Sequence, residues 1–225
     1  MKVNIILFNA LTQLDLTGPF EVLARVPAVQ VELVGKSLEP VRSDRGLTLV
    51  PTTTIANAPP CDLLVVPGGP GTDDAILDAE WVSFTRRQAK SAKYIFGICT
   101  GSLLLGAAGL LKGRRSTCHW QAIDFLPAFG AIVTRERMCV DGNIFTAGGV
   151  TSGIDMALKV VAMLKGDEAA KQIQLQIEYD PKPPFPGGTP LTSEPAIVEK
   201  CLAATQARRA LRASAVGHAA LRMPA

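Results

Sequence analysis

The 225-residue chain is 48% hydrophobic, enough to bury a sizeable core, and its length permits one main domain or at most two. Its 23 basic and 20 acidic residues leave a formal charge of +3, with no dense block of either sign through residues 1–200, which argues against nucleic acid or a membrane surface as partner. Five cysteines, at positions 61, 99, 118, 139 and 201, lack the spacing of a disulfide framework or a zinc site, so reduced thiols and a cytoplasmic location are expected.

The opening MKVNIILFNA is apolar but short and runs straight into the polar TQLDLTGPFE, so it reads as a first strand, Val3 to Phe8, rather than a signal peptide. The Gly18-Pro19 pair predicts a helix start and a helix over Phe20 to Ala24. Runs rich in branched residues predict further strands at Val29 to Gly35, Leu63 to Val66, Tyr94 to Ile98 and Asn143 to Ala147. Between them the apolar spacing predicts helices over Ala79 to Ala92, Thr100 to Ala108, Ser152 to Leu164 and Glu168 to Tyr179. Strands alternating with helices imply an α/β fold around a mainly parallel sheet. No apolar run approaches the roughly 18–20 residues of a membrane span. The run DPKPPFPGG ends the compact fold or begins an arm, because its prolines continue neither helix nor central strand. Residues 194–213 then read as a docked helix with a frayed end, which divides the chain into an α/β domain over 1–188 and a C-terminal helix and tail over 189–225. Arg208, Arg209, Arg212 and Arg222 read as a solvated helix face rather than a footprint on an acidic partner.

The chemistry concentrates in YIFGICTGSLLLGAAGLL. A buried strand, a glycine two residues before Cys99, a glycine two residues after it and an apolar helix reproduce the logic of a nucleophile elbow, with Cys in place of Ser. The glycines clear space at a tight strand-to-helix turn, and the helix N-terminus is expected to favour the thiolate. The alternative is an inert buried cysteine. A second junction, DLLVVPGGPGTDD, places Gly68 and Gly69 just past another strand, where their N–H groups and that of Thr100 are candidates for an oxyanion hole. A phosphate loop is the rival, but neither a Walker lysine nor G-x-G-x-x-G is present. A third junction, NIFTAGGVTSGIDMAL, brings Val150 and Thr151 to the same carboxyl-end crevice or uses its glycines only to turn.

Asp15 and Glu21 follow the first strand into that layer. Asp15, placed in the connection, is the candidate acid: a carboxyl desolvated beside the sulfur keeps its proton to a higher pH, whereas its bland alternative is helix capping near Thr17. Of the two histidines, His218 sits in the tail, while His119 in STCHWQA is a candidate partner of the thiol in proton transfer, a substrate contact without proton transfer, or a satisfied structural imidazole.

Together, GICTGSLLLGAAGLL, VVPGG, LDLTGPFEV and CHW resemble the PfpI-like cysteine superfamily related to class I glutamine amidotransferases, over roughly residues 1–180. Within it the chain is most similar to the isonitrile hydratase branch, itself close to the amidase-like domains of some AraC-type regulators. The resemblance implies a flavodoxin-like three-layer sandwich, usually a homodimer, with Cys99 on the elbow beside the acid Asp15. It implies catalysis by Cys99, Asp15 and Thr100 on a small isonitrile, with Gly68, Gly69, Val150 and His119 around the substrate and no metal or organic cofactor. Protease-like members carry His directly after the Cys; Thr100 stands there instead, which argues against peptidase activity. The regulators would need a DNA-binding module of about a hundred further residues, and only about 45 follow Tyr179, so regulation in cis is not expected. A related hydrolase, a glyoxalase-type lyase and a non-catalytic oxidation sensor remain as rivals.

Overall fold

A computed structural model describes residues 1–223. In chain order the strands are β1 (Lys2–Ile6), β2 (Gln30–Gly35), β3 (Val41–Arg42), β4 (Thr48–Leu49), β5 (Thr53–Thr54), β6 (Leu63–Val66), β7 (Tyr94–Ile98), β8 (Arg115–Ser116), β9 (Ile132–Val133), β10 (Met138–Asp141) and β11 (Ile144–Ala147). The helices are α1 (Gln13–Leu23), α2 (Thr72–Ala75), α3 (Ala79–Ala89), α4 (Gly101–Ala107), α5 (Ser152–Lys165), α6 (Asp167–Gln176) and α7 (Pro195–Leu221), with a 3-10 helix over Ile123–Phe129.

Seven strands form one sheet in the order β10-β11-β7-β6-β1-β2-β5, all parallel except the edge strand β10, which returns antiparallel beside β11. The central strands β6 and β7 are almost wholly apolar and buried on both faces, as a parallel sheet covered by helices requires. This is the α/β fold around a mainly parallel sheet expected from the alternating pattern, in the flavodoxin-like form that the resemblance implies. All five strands read from the sequence are present. The short β10 escaped that reading because Met138–Asp141 mixes polar and apolar residues at a sheet edge.

Two expectations are corrected. Gly18-Pro19 does not start the first helix: α1 begins at Gln13 and carries Pro19 inside it, so Asp15 stands in its first turn and not in a connection. The pair serves close packing, since a side-chain carbon at Gly18 would sit 3.0 Å from Ile154 and one at Gly153 3.1 Å from Pro19, which lets α1 and α5 approach. The late arginines are not a solvated face either. Helix α7 continues eight residues past position 213 and buries Arg212, Ala215, Val216 and Ala219. Arg212 Nε donates to Asp73 Oδ1 at 2.6 Å, Arg208 reaches the same carboxylate at 3.4 Å, and the Arg209 guanidinium lies 4.9 Å from the centre of the Phe125 ring. No helix of the described residues is long and apolar enough to cross a membrane.

Candidate active site

Strand β7 ends at Ile98, and Cys99 follows with φ +55°, a left-handed conformation that costs a non-glycine residue about 1–3 kcal/mol. The flanking glycines are dictated by space: a side-chain carbon at Gly97 would lie 2.7 Å from Leu105, and one at Gly101 only 2.0 Å from the Val66 carbonyl. The turn is held from the next strand as well, because the Cys99 N–H donates to the carbonyls of both Ala147 and Gly148 at 3.0 Å.

Asp15 is fully buried beside the sulfur. Its Oδ2 accepts the Gly68 N–H at 2.9 Å, while Oδ1 is buried without a hydrogen-bond partner. Burial pushes the Asp15 carboxyl up to about 7, against the opposing pull of the Gly68 N–H; the nearby charge of Asp44 adds to the rise. Cys99 moves the same way: burial, then the Asp15 charge, holds its thiol well above the ordinary range, although the Thr100 N–H faces the sulfur and favours the anion. The expectation that the helix N-terminus would favour a resting thiolate is therefore corrected. Helix α4 has only seven residues and supplies one useful N–H, which does not offset removing the sulfur from water.

Gly68, Gly69 and Thr100 gather around this pair, though not in the roles expected of them. The Gly68 N–H is occupied by Asp15, and the Gly69 N–H by the Thr100 hydroxyl at 2.8 Å. The Thr100 hydroxyl also lies 2.9 Å from that of Thr72, so it ties the elbow to the glycine loop and does not stand free in a pocket. Of the three N–H groups considered for an oxyanion hole, only that of Thr100 faces the sulfur. Glu21 is exposed and paired with Arg25, away from the site.

His119 and Val150 line a cavity of about 420 Å³ that also takes in Cys118, Trp120, Gly149 and Leu191. Two of its wall residues touch the elbow: Cys118 through a bond to the Cys99 carbonyl and Gly148 through its own carbonyl. A second cavity, of about 330 Å³ between Phe8, Lys36 and Trp81, shares no residue with it. Burial, reinforced by the charge of Arg212, pushes His119 down to about 4, so the ring is neutral at pH 7. Its Nδ1 accepts the Gln121 N–H at 3.3 Å, which leaves the proton on Nε2, the nitrogen beside Gly149. His119 is thus a neutral hydrogen-bond donor rather than a base. Among the described residues no group of three or more His, Cys, Asp and Glu is arranged to hold a metal ion.

Sequence reasoning gave Cys118 and Asp73 no role and read Arg212 as solvated. Cys118 stood next to His119 without a pattern of its own, and Asp73 and Arg212 lie 139 residues apart, beyond any local signal.

The chain is 49% identical over 200 residues to the isonitrile hydratase of Pseudomonas putida, which covers 89% of this chain and 88% of that one. It is 34% identical over 139 residues to the HTH-type transcriptional regulator CdhR of Pseudomonas aeruginosa, spanning 61% of this chain but 41% of the regulator. The crystal structure of a ThiJ/PfpI family protein from Pseudomonas syringae superposes with a TM-score of 0.93 at 38% identity, covering 96% of this chain and 90% of the other. Residues 1–163 match the DJ-1/PfpI family profile, a stretch that contains the acid, the glycine loop, the elbow and the His119 turn, and on these grounds the chain belongs to the DJ-1/PfpI family.

Proposed function

We propose that the protein is an isonitrile hydratase, adding water to an isonitrile to give an N-substituted formamide. The observation that carries the reading is the pairing of a strained cysteine with a buried carboxyl that keeps a proton near pH 7, in a chain so similar to a curated isonitrile hydratase. The terminal carbon of an isonitrile must gain both a nucleophile and a proton. The Cys99–Asp15 pair holds both: Cys99 Sγ bonds to that carbon, and the proton shared with Asp15 goes to the same carbon, giving a thioimidate R–N=CH–S. Water adds to this carbon, a proton returns to nitrogen, and collapse breaks the C–S bond, releasing R–NH–CHO and the thiol. The Thr100 N–H steadies the sulfur as it leaves, and the Nε2–H of His119 is the donor offered to the substrate side. Val150 and Trp120 take the substituent R; the Gly68 N–H acts on the substrate only by holding Asp15. The working protein is a cytoplasmic homodimer that needs no metal or organic cofactor and binds neither nucleic acid nor membrane.

The test is incubation with cyclohexyl isocyanide and detection of N-cyclohexylformamide by mass spectrometry. Formation of the formamide supports the reading; no product from any of a set of aliphatic and aromatic isonitriles rejects it.

The pair also sets a pH dependence. Below about 7 both partners are protonated and the sulfur has no base, while above it one proton is shared and the thiolate–acid form becomes accessible. The kcat/KM for hydration is expected to fall about tenfold per pH unit below about 7 and to stay level for at least a unit above it. A profile that instead declines from pH 6 upward would mean that the doubly protonated pair is the reactive one.

A further inference from the structure

Cys118 is the one nucleophilic group at the site that the mechanism leaves unused. It is almost fully buried and unpaired, it follows β8, and its Sγ–H donates to the main-chain carbonyl of Cys99 at 3.1 Å. The strained residue is thereby held on both sides. Its N–H is fixed by β11 through Ala147 and Gly148, and its carbonyl is fixed by a side chain from an element outside the main sheet. The segment behind Cys118 is braced in turn by α7: the Gln121 side chain donates to the Cys201 carbonyl and to the Thr205 hydroxyl, and Arg209 donates to the Gln121 carbonyl at 2.8 Å.

We propose that Cys118 is a positioning residue for the reaction, whose thiol holds the Cys99 carbonyl and so keeps the Cys99 sulfur aimed at Asp15. A residue at φ +55° relaxes by rotating its two peptide planes, and the plane carrying the Cys99 carbonyl is the one with no strand partner to stop it. Burial pushes the Cys118 thiol up to about 12, so it remains a donor across the working pH range. The same burial makes it a poor nucleophile, which separates its task from that of Cys99.

This proposal rests on the reading of Cys99 as the nucleophile, and its test reads that sulfur directly, without requiring isonitrile turnover. In the full-length protein, Cys118→Ser keeps a donor with less bulk, whereas Cys118→Val keeps bulk without a donor and Cys118→Ala keeps neither. The rate of iodoacetamide alkylation at Cys99, followed by mass spectrometry of its peptide under mildly alkaline conditions, is expected to stay within about twofold of the native rate in the Ser variant. In the Val and Ala variants it is expected to fall about five- to tenfold, the worth of one hydrogen bond in rate. Hydration is expected to follow the same order in kcat with KM unchanged. If Val matches the native protein, or if Ser falls with Ala, bulk is what matters and the proposal fails; should Val or Ala not fold, the Ser variant alone decides, a fall of fivefold or more rejecting it. Failure of the hydratase reading looks different: no formamide from the native protein, with the alkylation order Ser above Val and Ala intact.

Discussion

Asp15→Asn is expected to lower kcat for isonitrile hydration by about 10²–10⁴-fold, the usual worth of a positioned general acid, and yet to make the protein more stable at pH 8. Cys99→Ala should remove the covalent route altogether, so both variants lose activity, but only Asp15→Asn removes the buried charge. The stability argument follows from the sign of the Asp15 shift. Its carboxyl is pushed from 3.8 to about 7 in the folded protein, so between those values the native state holds a proton that the unfolded chain has lost. Stability therefore falls as pH rises through that window, and above about 7 the full cost of the buried charge is present. Asn carries no such charge, and its carbonyl still accepts the Gly68 N–H, although its NH2 group is left facing the sulfur. The net gain at pH 8 is about 2 kcal/mol, or about 4–8 °C in Tm for a chain of this size, shrinking to nothing near pH 4. Thermal melts of the two proteins at pH 4, 6 and 8 check this. Parallel curves at all three would mean that Asp15 is not desolvated as described.

The second large effect lies at the other end of the fold. Arg212→Met is expected to destabilise the protein by about 3 kcal/mol, or about 6–12 °C in Tm, because Asp73 is left buried with only the longer contact to Arg208. Burial already holds the Asp73 carboxyl above its ordinary range even with Arg212 beside it, so the lost counterion has no substitute from solvent. The double variant Arg212→Met with Asp73→Asn should recover most of the loss, since it removes the orphaned charge and keeps the packing volume. Equal melting points for the single and double variants would show that the pair is solvated and contributes little. The His119 ring should report the same event: without the Arg212 charge, its titration, followed by NMR, moves up from about 4.

The elbow was legible because its reasons are local. A strand, a tight turn and a helix within fifteen residues leave glycines where side chains would collide, and that pattern stands in Gly97-Ile98-Cys99-Thr100-Gly101. Asp15 was legible by chain order, which places everything just after the first strand at the carboxyl end of the sheet, although its helix was begun seven residues too late because a proline was read as a boundary. What the pattern does not carry is the direction in which a main-chain amide points. Gly68 and Gly69 offered two donors in the right loop, but the packing of α1 and of Thr100 against that loop gave both of them to protein groups. Nor does composition reveal that a basic helix face is an ionic clasp when the acid lies 139 residues earlier.

The resting protonation of the Cys99 and Asp15 pair bears on which molecules the protein can react with at all. Peroxide and most alkylating agents consume free thiolate, and a sulfur that keeps its hydrogen at neutral pH presents them with very little. An electrophile that accepts sulfur and hydrogen at one carbon meets no such obstacle, because it takes both from the pair together. Under the proposed mechanism the expected result is chemoselectivity without a closed door: slow oxidation and slow alkylation of Cys99 at pH 7, set against turnover of an isonitrile.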